Sequence, residues 1–260
     1  MKKVMNILAV VVAGGAIIAA MGFVSNERKQ VTCKDIEVLI QGSDAIHFLD
    51  EKRVRLMLMD MGELILNKRA SEIPLSTLEA RLRNNPYVKE ADLYMTLDGI
   101  LEVSLQQREP IARIMTGPSK SYYIDREGYL MPPPDYFTAH VPVINGHFSL
   151  PFHSEKPIGE GGIATADSSL IRDLYALAKY VHDDPFWNSQ VVQIYVNRHK
   201  EIELIPRVGD HRILLGNVED MNGKLDKLRV FYNEGLRYTD WNQYSTINLK
   251  YKNQIICTKR

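Results

Sequence analysis

The chain has 260 residues, and its 32 basic and 32 acidic side chains cancel to a formal net charge of zero. This length suits one large domain or two modest ones, each able to bury its own core. The charge balance argues against an electrostatic nucleic-acid binder, because neutralising phosphates requires a clustered excess of lysine and arginine, and the sequence contains no such cluster.

An apolar stretch near the amino terminus, Val4–Val24, is interrupted only by Asn6. Its 21 residues are about what a helix needs to cross a hydrocarbon core of ~30 Å. The alternative is a cleaved signal peptide with Ala20-Met21-Gly22 as its cleavage site, but the apolar run exceeds the about 7–15 residues of a signal core. The sequence therefore predicts a retained transmembrane helix over 4–24 behind a short tail, 1–3. Basic residues flank the span almost evenly, so charge alone leaves its orientation open.

The next segment predicts a β-α-α-β-β order. Alternating apolar residues over Ile36–Ile40 indicate a first strand. A helix capped by Asp50 and ended by Gly62 follows, and Ser76-Thr77-Leu78-Glu79 has the form of a capping box for a second helix. The apolar stripes are Val54, Met57, Leu58 and Met61 in the first helix and Leu75, Leu78 and Leu82 in the second. Two helices on one face of a three-stranded sheet would bury both stripes.

A hairpin closes this domain. Apolar residues alternate with polar ones over Ala91–Met95 and again over Leu101–Leu105. Between them Asp98-Gly99 supplies the turn, because glycine tolerates positive φ. Pro110 then ends the ribbon, since proline cannot donate to a ladder. These patterns predict a first domain over 31–108 and a second over 109–260.

The second domain has the pattern of a sheet-rich α+β fold. Strand-like segments are Ile111–Met115, Ser121–Asp125, Val192–Val196, Ile202–Leu204 and Arg212–Leu215, and helical periodicity occurs after Ser168 or Ser169 and over Val218–Tyr232. Lys224, Lys227 and Arg229 of the second helix are expected on a solvated face.

The last stretch carries the strongest functional pattern. Ile247, Leu249 and Tyr251 alternate with polar residues, and Ile255–Cys257 indicates a final strand. A sequence-terminal strand often lies at a sheet edge, where unpaired main-chain groups can accept a strand from another protein. The pattern predicts an open edge near Tyr244–Tyr251. From spacing alone, the alternative is that Tyr251 is a core aromatic.

The sequence contains no recognisable catalytic or metal-binding motif. The seven histidines lack His-Glu-x-x-His or comparable spacing, and neither a Gly-x-Ser-x-Gly elbow nor Ser-x-x-Lys occurs. The glycines within 153–165 lack the Gly-Lys-Ser/Thr ending of a phosphate loop. Cys33 and Cys257, the only cysteines, are expected to be free thiols rather than a disulfide. We therefore expect no catalytic residue, metal, cofactor or small-molecule ligand.

Together these motifs resemble the FtsQ/DivIB bacterial cell-division proteins. The Asn-Pro-Tyr-Val after the second helix, the Asp-Gly hairpin and the Gln-Arg-Glu-Pro-Ile-Ala exit resemble that family's POTRA domain. Tyr123–Gly128 and Val141–Gly146 are similar to the opening of its β domain. The resemblance covers nearly the whole chain. It implies a non-enzymatic scaffold of the septal divisome, anchored in the inner membrane by one helix, with both domains in the periplasm.

The resemblance also implies a partner site. Ile247–Tyr251 is similar to the family's Val-Asp-Leu-Arg-Tyr segment, which implies a strand that docks the divisome protein FtsB with FtsL; FtsK is a further implied partner. The implied binding residues are Tyr244, Ile247, Leu249, Tyr251 and Asn253. Three positions depart from the family pattern: Asn248 replaces an acidic residue, Gln254 a common glycine, and Lys259 a second contact aromatic.

Two other functions stay open at the level of sequence. A POTRA-containing translocation or assembly factor should show several POTRA repeats or a long series of barrel strands, and the sequence shows neither. A membrane-anchored periplasmic hydrolase should lose activity on cell-wall substrates when a single carboxylate or serine is changed.

Overall fold

The computed structural model describes residues 14–15, 31–42, 46–60, 65–117, 120–150, 157–158, 166–238 and 240–260. The chain divides into two compact units, Met1–Gln107 and Arg108–Arg260. Among the described residues, no helix combines the length and apolar character needed to cross a membrane. The predicted tail over 1–3 and the predicted span over 4–24 lie outside the described residues, apart from positions 14 and 15.

The first unit has the predicted β-α-α-β-β order. Its elements are β1 (Asp35–Gln41), α1 (Glu51–Asp60), a 3₁₀ turn (Ala70–Glu72), α2 (Leu75–Arg83), β2 (Val88–Met95) and β3 (Ile100–Gln107). The sheet order is β1-β3-β2, with β1 parallel and β2 antiparallel to β3. Gly99 adopts the predicted positive φ, +89°, in the β2–β3 turn. This is the POTRA-like arrangement.

The core of the first unit lies between the helices and one face of the sheet. The inward residues of β3, Leu101, Val103 and Leu105, are buried, as the alternation predicts. They share one apolar cluster with Val54 and Leu58 of α1 and Leu78 and Leu82 of α2. The described residues of the two predicted stripes therefore cover the sheet as expected, whereas Met61 and the predicted helix end at Gly62 lie outside the described residues.

The two predicted helix caps of this unit have different outcomes. Asp50 caps α1, because its Oδ1 accepts the Arg53 amide at 2.8 Å. The capping box of α2 is wrong: this helix begins at Leu75 after Pro74 and has no side-chain cap. Glu79 instead accepts the Leu93 amide of β2 at 2.9 Å. The Glu79 side chain, which the motif assigned to the cap of α2, therefore makes a tertiary contact with β2 instead.

The second unit contains the predicted sheet-rich α+β fold. Its strands are β4 (Pro110–Gly117), β5 (Lys120–Asp125), β6 (Leu130–Met131), β7 (Val143–Gly146), β8 (Val191–Val196), β9 (Ile202–Pro206), β10 (Arg212–Gly216), β11 (Tyr244–Asn248) and β12 (Ile256–Lys259). Its helices are α3 (Ser168–Asp183), α4 (Pro185–Gln190) and α5 (Met221–Val230), the last continuing into a π-helical turn (Phe231–Gly235) and a 3₁₀ turn (Leu236–Tyr238). In the described part of the chain, the sheet order is β12-β11-β10-β9-β8-β7-β4-β5-β6.

One large apolar cluster unites this sheet with its helices. Leu174 and Leu177 of α3, Trp187 of α4 and Leu225 and Leu228 of α5 are buried in it, beside alternate residues of the strands. The amphipathic spacing of the helices predicts these positions. The cluster extends to β11, so the carboxy-terminal end of the sheet rests on the same core as its centre.

Candidate functional site

The predicted open edge does not lie at Tyr244–Tyr251. β11 is an interior strand, parallel to β10 on one side and antiparallel to β12 on the other. The prediction is wrong because the four residues Ile256–Lys259 fold back and form a ladder with β11. The open edge at this end of the sheet is β12, with β11 as its neighbour among the described strands.

The five predicted binding residues do not form one surface. Ile247 and Leu249 are fully buried in the core, so their side chains cannot reach a partner at this surface. Tyr244 is half-buried, and its ring centroid lies 6.1 Å from that of Phe231. Tyr251 is 48% exposed, and Asn253 is exposed, both in the turn between β11 and β12. Tyr251 is therefore not the core aromatic that spacing alone allows.

The open side of β12 presents the main-chain groups of two residues. In an antiparallel pair, alternate residues point their amide and carbonyl groups toward and away from the neighbour. The Arg260 amide donates to the Gln243 carbonyl at 3.2 Å, and the Thr258 carbonyl accepts the Ser245 hydroxyl at 3.2 Å. Even-numbered residues therefore face β11. The amides and carbonyls of Cys257 and Lys259 face the open side.

An apolar cleft of about 650 Å³ lies beside the beginning of β12. Val230 at the end of α5, which is 61% exposed, lines it together with Phe231 and Ile255. Ile256, the first residue of β12, is 41% exposed. Asp226, Lys227, Glu234, Asn253 and Gln254 supply the polar part of the lining. The edge strand thus begins next to a surface that can hold apolar side chains.

Lys224 of α5 is buried, contrary to the predicted solvated face, whereas Lys227 and Arg229 are partly exposed. The buried Lys224 ammonium donates to the Leu215 carbonyl at 3.1 Å and to the Asn217 carbonyl and Oδ1 at 2.9 Å each. Burial lowers the pKa of Lys224. Arg229 pairs with Asp184. Charge patterning could not reveal these contacts, because the acceptors of Lys224 are oxygens of Leu215 and Asn217 just before α5, and Asp184 lies far from Arg229 in the chain.

Lys227 of α5 contacts the turn that leads into β12. Its ammonium donates to the Tyr251 carbonyl at 3.1 Å and to the Lys252 carbonyl at 2.7 Å. At the other end of β12, the Arg260 guanidinium pairs with the Asp210 carboxylate. Sequence reasoning missed both contacts, since neither pair has a local spacing signal.

A buried histidine follows Asp210. His211 is almost fully buried, and its Nε2 lies 2.8 Å from the Tyr232 hydroxyl. Burial lowers the pKa of His211, and burial raises the pKa of Tyr232 far above its usual range. The pair is therefore neutral near pH 7 and joins the residue that precedes β10 to the π-helical turn.

The motif Tyr123–Gly128 forms a structural corner at the beginning of the second unit. The buried Asp125 carboxylate accepts the Arg108 guanidinium at 2.7 Å and the amides of Glu127 and Tyr129 at 3.0 and 2.7 Å. Burial raises the pKa of Asp125, and its hydrogen-bond partners oppose that effect. The Asp125 carboxylate therefore ties the end of β5 to the following turn and to Arg108.

Cys33 and Cys257 are both free, as predicted. Among the residues that the structure describes, no group of three or more histidines, cysteines or carboxylates could hold a metal ion.

Comparison with known proteins connects this architecture to a family. The family model described as "FtsQ/DivIB, C-terminal related" matches residues 109–258, more than half of the chain. The chain belongs to the FtsQ/DivIB family. A POTRA-like domain model matches residues 31–106. The resemblance drawn from the sequence motifs is thereby confirmed.

Curated relatives carry the same family name. The chain is 29% identical to the cell division protein FtsQ of Salinibacter ruber over 186 residues, 69% of this chain and 68% of the relative. It is 23% identical to FtsQ of Rhodothermus marinus over 209 residues, 78% of this chain and 70% of the relative. These matches place the chain among cell-division proteins.

Proposed function

We propose that this FtsQ/DivIB family member is a non-enzymatic scaffold of the divisome at the division septum. Residues 4–24 would anchor it in the inner membrane as a single-pass protein, since that stretch is apolar over a membrane-spanning length. The POTRA-like domain and the β domain would then lie in the periplasm and recruit other division proteins. Family membership and the two FtsQ relatives support this role.

The proposed docking mode is strand addition at β12. The observation that carries it is the open edge, where the amides and carbonyls of Cys257 and Lys259 point away from β11. An extended partner segment can bond to these groups, which gives affinity without sequence information. Tyr251, Ile256 and Val230 would contribute specificity, because their side chains are exposed in the turn before β12, at its first residue and on the neighbouring α5. Leu249, a candidate from the sequence alone, has no such role because it is buried.

The family resemblance makes FtsB, acting with FtsL, the first candidate for this partner, and FtsK a candidate for the POTRA-like domain. The Lys259 position offers a direct test of the strand-addition mode. Lys259→Pro removes one outward amide, and proline is compatible with an edge position whose N–H faces away from the ladder. Lys259→Ala removes the same charge and keeps that amide, so it is the matched control.

The measurement is co-purification of division proteins from membranes with the full chain, after circular dichroism has shown that each variant is folded. We expect the proline variant to lose the partner and the alanine variant to keep it. Equal recovery with both variants would contradict strand addition at β12. Such a result would direct attention to β1, one of the two edge strands of the first unit, whose Leu39 is 62% exposed.

A further inference from the structure

β12 is a short strand for a docking platform. It has four residues, and its ladder with β11 contains a register shift between Tyr244 and Thr246. Edge strands with few hydrogen bonds open locally at a small free-energy cost. Contacts outside the ladder are therefore needed to keep β12 extended.

Two cationic side chains, one on each side of β12, link this strand region to segments outside the β11–β12 pair. Beyond its last residue, Arg260 pairs with Asp210, which lies between β9 and β10. Before its first residue, the Lys227 ammonium binds the carbonyls of Tyr251 and Lys252. Both carbonyls belong to the turn that delivers the chain into β12. Both hydrogen bonds are exposed, so solvent weakens them, but one cationic donor that binds two successive carbonyls still restricts the direction of this turn.

The helix that carries Lys227 is itself firmly held. Leu225 and Leu228 on either side of it are fully buried in the core of the second unit. One turn earlier, Lys224 binds the Leu215 carbonyl at the end of β10 and the following Asn217. Two lysines of one helix thus hold the segments that follow two adjacent strands, β10 and β11. The backbone of Lys227 is therefore fixed to the core of the second unit.

Strand addition requires an edge strand that is already extended. If β12 is extended for only a fraction of the time, the apparent affinity for a partner strand falls by that fraction. We infer that Lys227 is a positioning residue, which clamps the β11–β12 turn and keeps β12 in the form that accepts a partner. This inference rests on the proposed function. The inference adds that Lys227 raises the affinity for a partner strand by keeping β12 extended in the free protein, without contacting the partner.

Hydrogen exchange of the full chain in mild detergent, without any partner, tests the clamp directly. We expect Lys227→Met to accelerate exchange over residues 256–260 by about five- to ten-fold, since one charged pair of hydrogen bonds is lost. Lys252→Met is the matched control, because it removes the same charge from an exposed residue of the same turn. Lys227→Arg, which keeps a cationic donor at this position, should restore most of the protection.

Exchange over α3 reports the stability of the unit as a whole. Equal acceleration in α3 and β12 would assign Lys227 to general stability and overturn the inference. Unchanged exchange in β12 would also overturn it, and a loss of partner from such a variant would mean that Lys227 touches the partner directly.

Co-purification of division proteins from membranes separates this inference from the proposed function. We expect Lys227→Met to lower recovery by a factor similar to the change in exchange, and Lys252→Met to leave it unchanged. Faster exchange with full recovery would overturn the positioning role. Strand addition itself would still be judged by the Lys259→Pro and Lys259→Ala pair, which leave Lys227 intact.

Discussion

Two edge strands, one in each unit, differ in whether their outward amides and carbonyls are hydrogen-bonded. On β2 of the first unit, Glu79 accepts the Leu93 amide at 2.9 Å and Arg83 donates to the Ala91 carbonyl at 2.6 Å. On β12 of the second unit, no hydrogen bond within the described residues satisfies the outward groups of Cys257 and Lys259. Covered edges resist pairing with other chains and open ones invite it. The contrast points to β12 as a strand kept available.

The opposite edge of the nine-strand sheet is also poorly suited to pairing. β6 has only two residues, and Pro132-Pro133-Pro134 follows directly. Prolines have no amide to donate, so a partner strand could not continue along this edge. Within one sheet, one edge is therefore closed by its sequence and the other is left open.

The largest expected effect separates the buried and exposed residues of the predicted site. Leu249→Ala should lower the free energy of unfolding by about 2–5 kcal/mol, because it leaves a cavity in the core. Tyr251→Glu should change it by no more than about 0.5 kcal/mol, since Tyr251 is exposed, yet should abolish partner recovery. Chemical denaturation and co-purification measure the two quantities. A large loss of stability in Tyr251→Glu would indicate that Tyr251 packs in the core, and it would contradict the role of Tyr251 in partner binding.

The next effect concerns acid. His211 has a lowered pKa in the folded state because it is buried, so the unfolded chain binds the proton more readily. Stability is therefore retained above the unfolded-state pKa of about 6.5 and is lost as pH falls below it, at up to about 1.4 kcal/mol per pH unit. Denaturation at pH 7.0, 6.5 and 5.5 measures this slope.

His199, which is exposed, provides the control for this titration. The slope should persist in His199→Gln and flatten in His211→Gln. A slope that survives the loss of His211 would assign the acid sensitivity to another group. Because His211 follows Asp210, the partner of Arg260, we expect acid to increase exchange in β12 before β2.

Removing the side chain that covers the outward edge of β2 should lower the free energy of unfolding by less than Leu249→Ala does. Glu79→Ala leaves the Leu93 amide without its carboxylate acceptor and should cost about 1 kcal/mol of unfolding free energy. It should also promote self-association through the exposed edge, measurable by analytical ultracentrifugation. Glu90→Ala, at an exposed position on the same strand, is the control for lost charge. An unchanged sedimentation profile would show that the side-chain cover of β2 does not limit association.

The smallest expected effect is at Arg260. Its ion pair with Asp210 is exposed, so Arg260→Met should change the free energy of unfolding by no more than about 0.5 kcal/mol. Exchange over β12 should nevertheless increase, because one end of the strand is released. An equal increase throughout the second unit would argue against a local effect.

Much of the first unit could be predicted from its sequence. The alternation over Leu101–Leu105 and the Asp98-Gly99 turn each specify one local structure, and both occur as expected. The helix stripe containing Leu78 and Leu82 also specifies its buried face. Glu79 shows the limit of such reasoning. Its capping-box position was compatible with a local contact, but the β2 amide lies within reach only after the chain has folded.

The candidate site was predicted less well, for a related reason. Period two shows that Ile247 and Leu249 share a face, but it does not show which strands lie on either side of β11. The four residues Ile256–Lys259 decide that question by pairing with β11. Lys224 and Lys227 carry no local signal of their contacts. Lys224 binds oxygens of Leu215 and Asn217 just before α5, and only the folded sheet brings the acceptors of Lys227 to the helix.

The sequence alone determined the apolar amino-terminal stretch, the order of helices and strands in the first unit and the family, because these depend on local periodicity, turn residues and short motifs. The tertiary structure alone decided which strand forms the edge, which predicted site residues are buried and which cations hold the β11–β12 turn. Those properties depend on neighbours that are distant in the chain, and no local pattern specifies them.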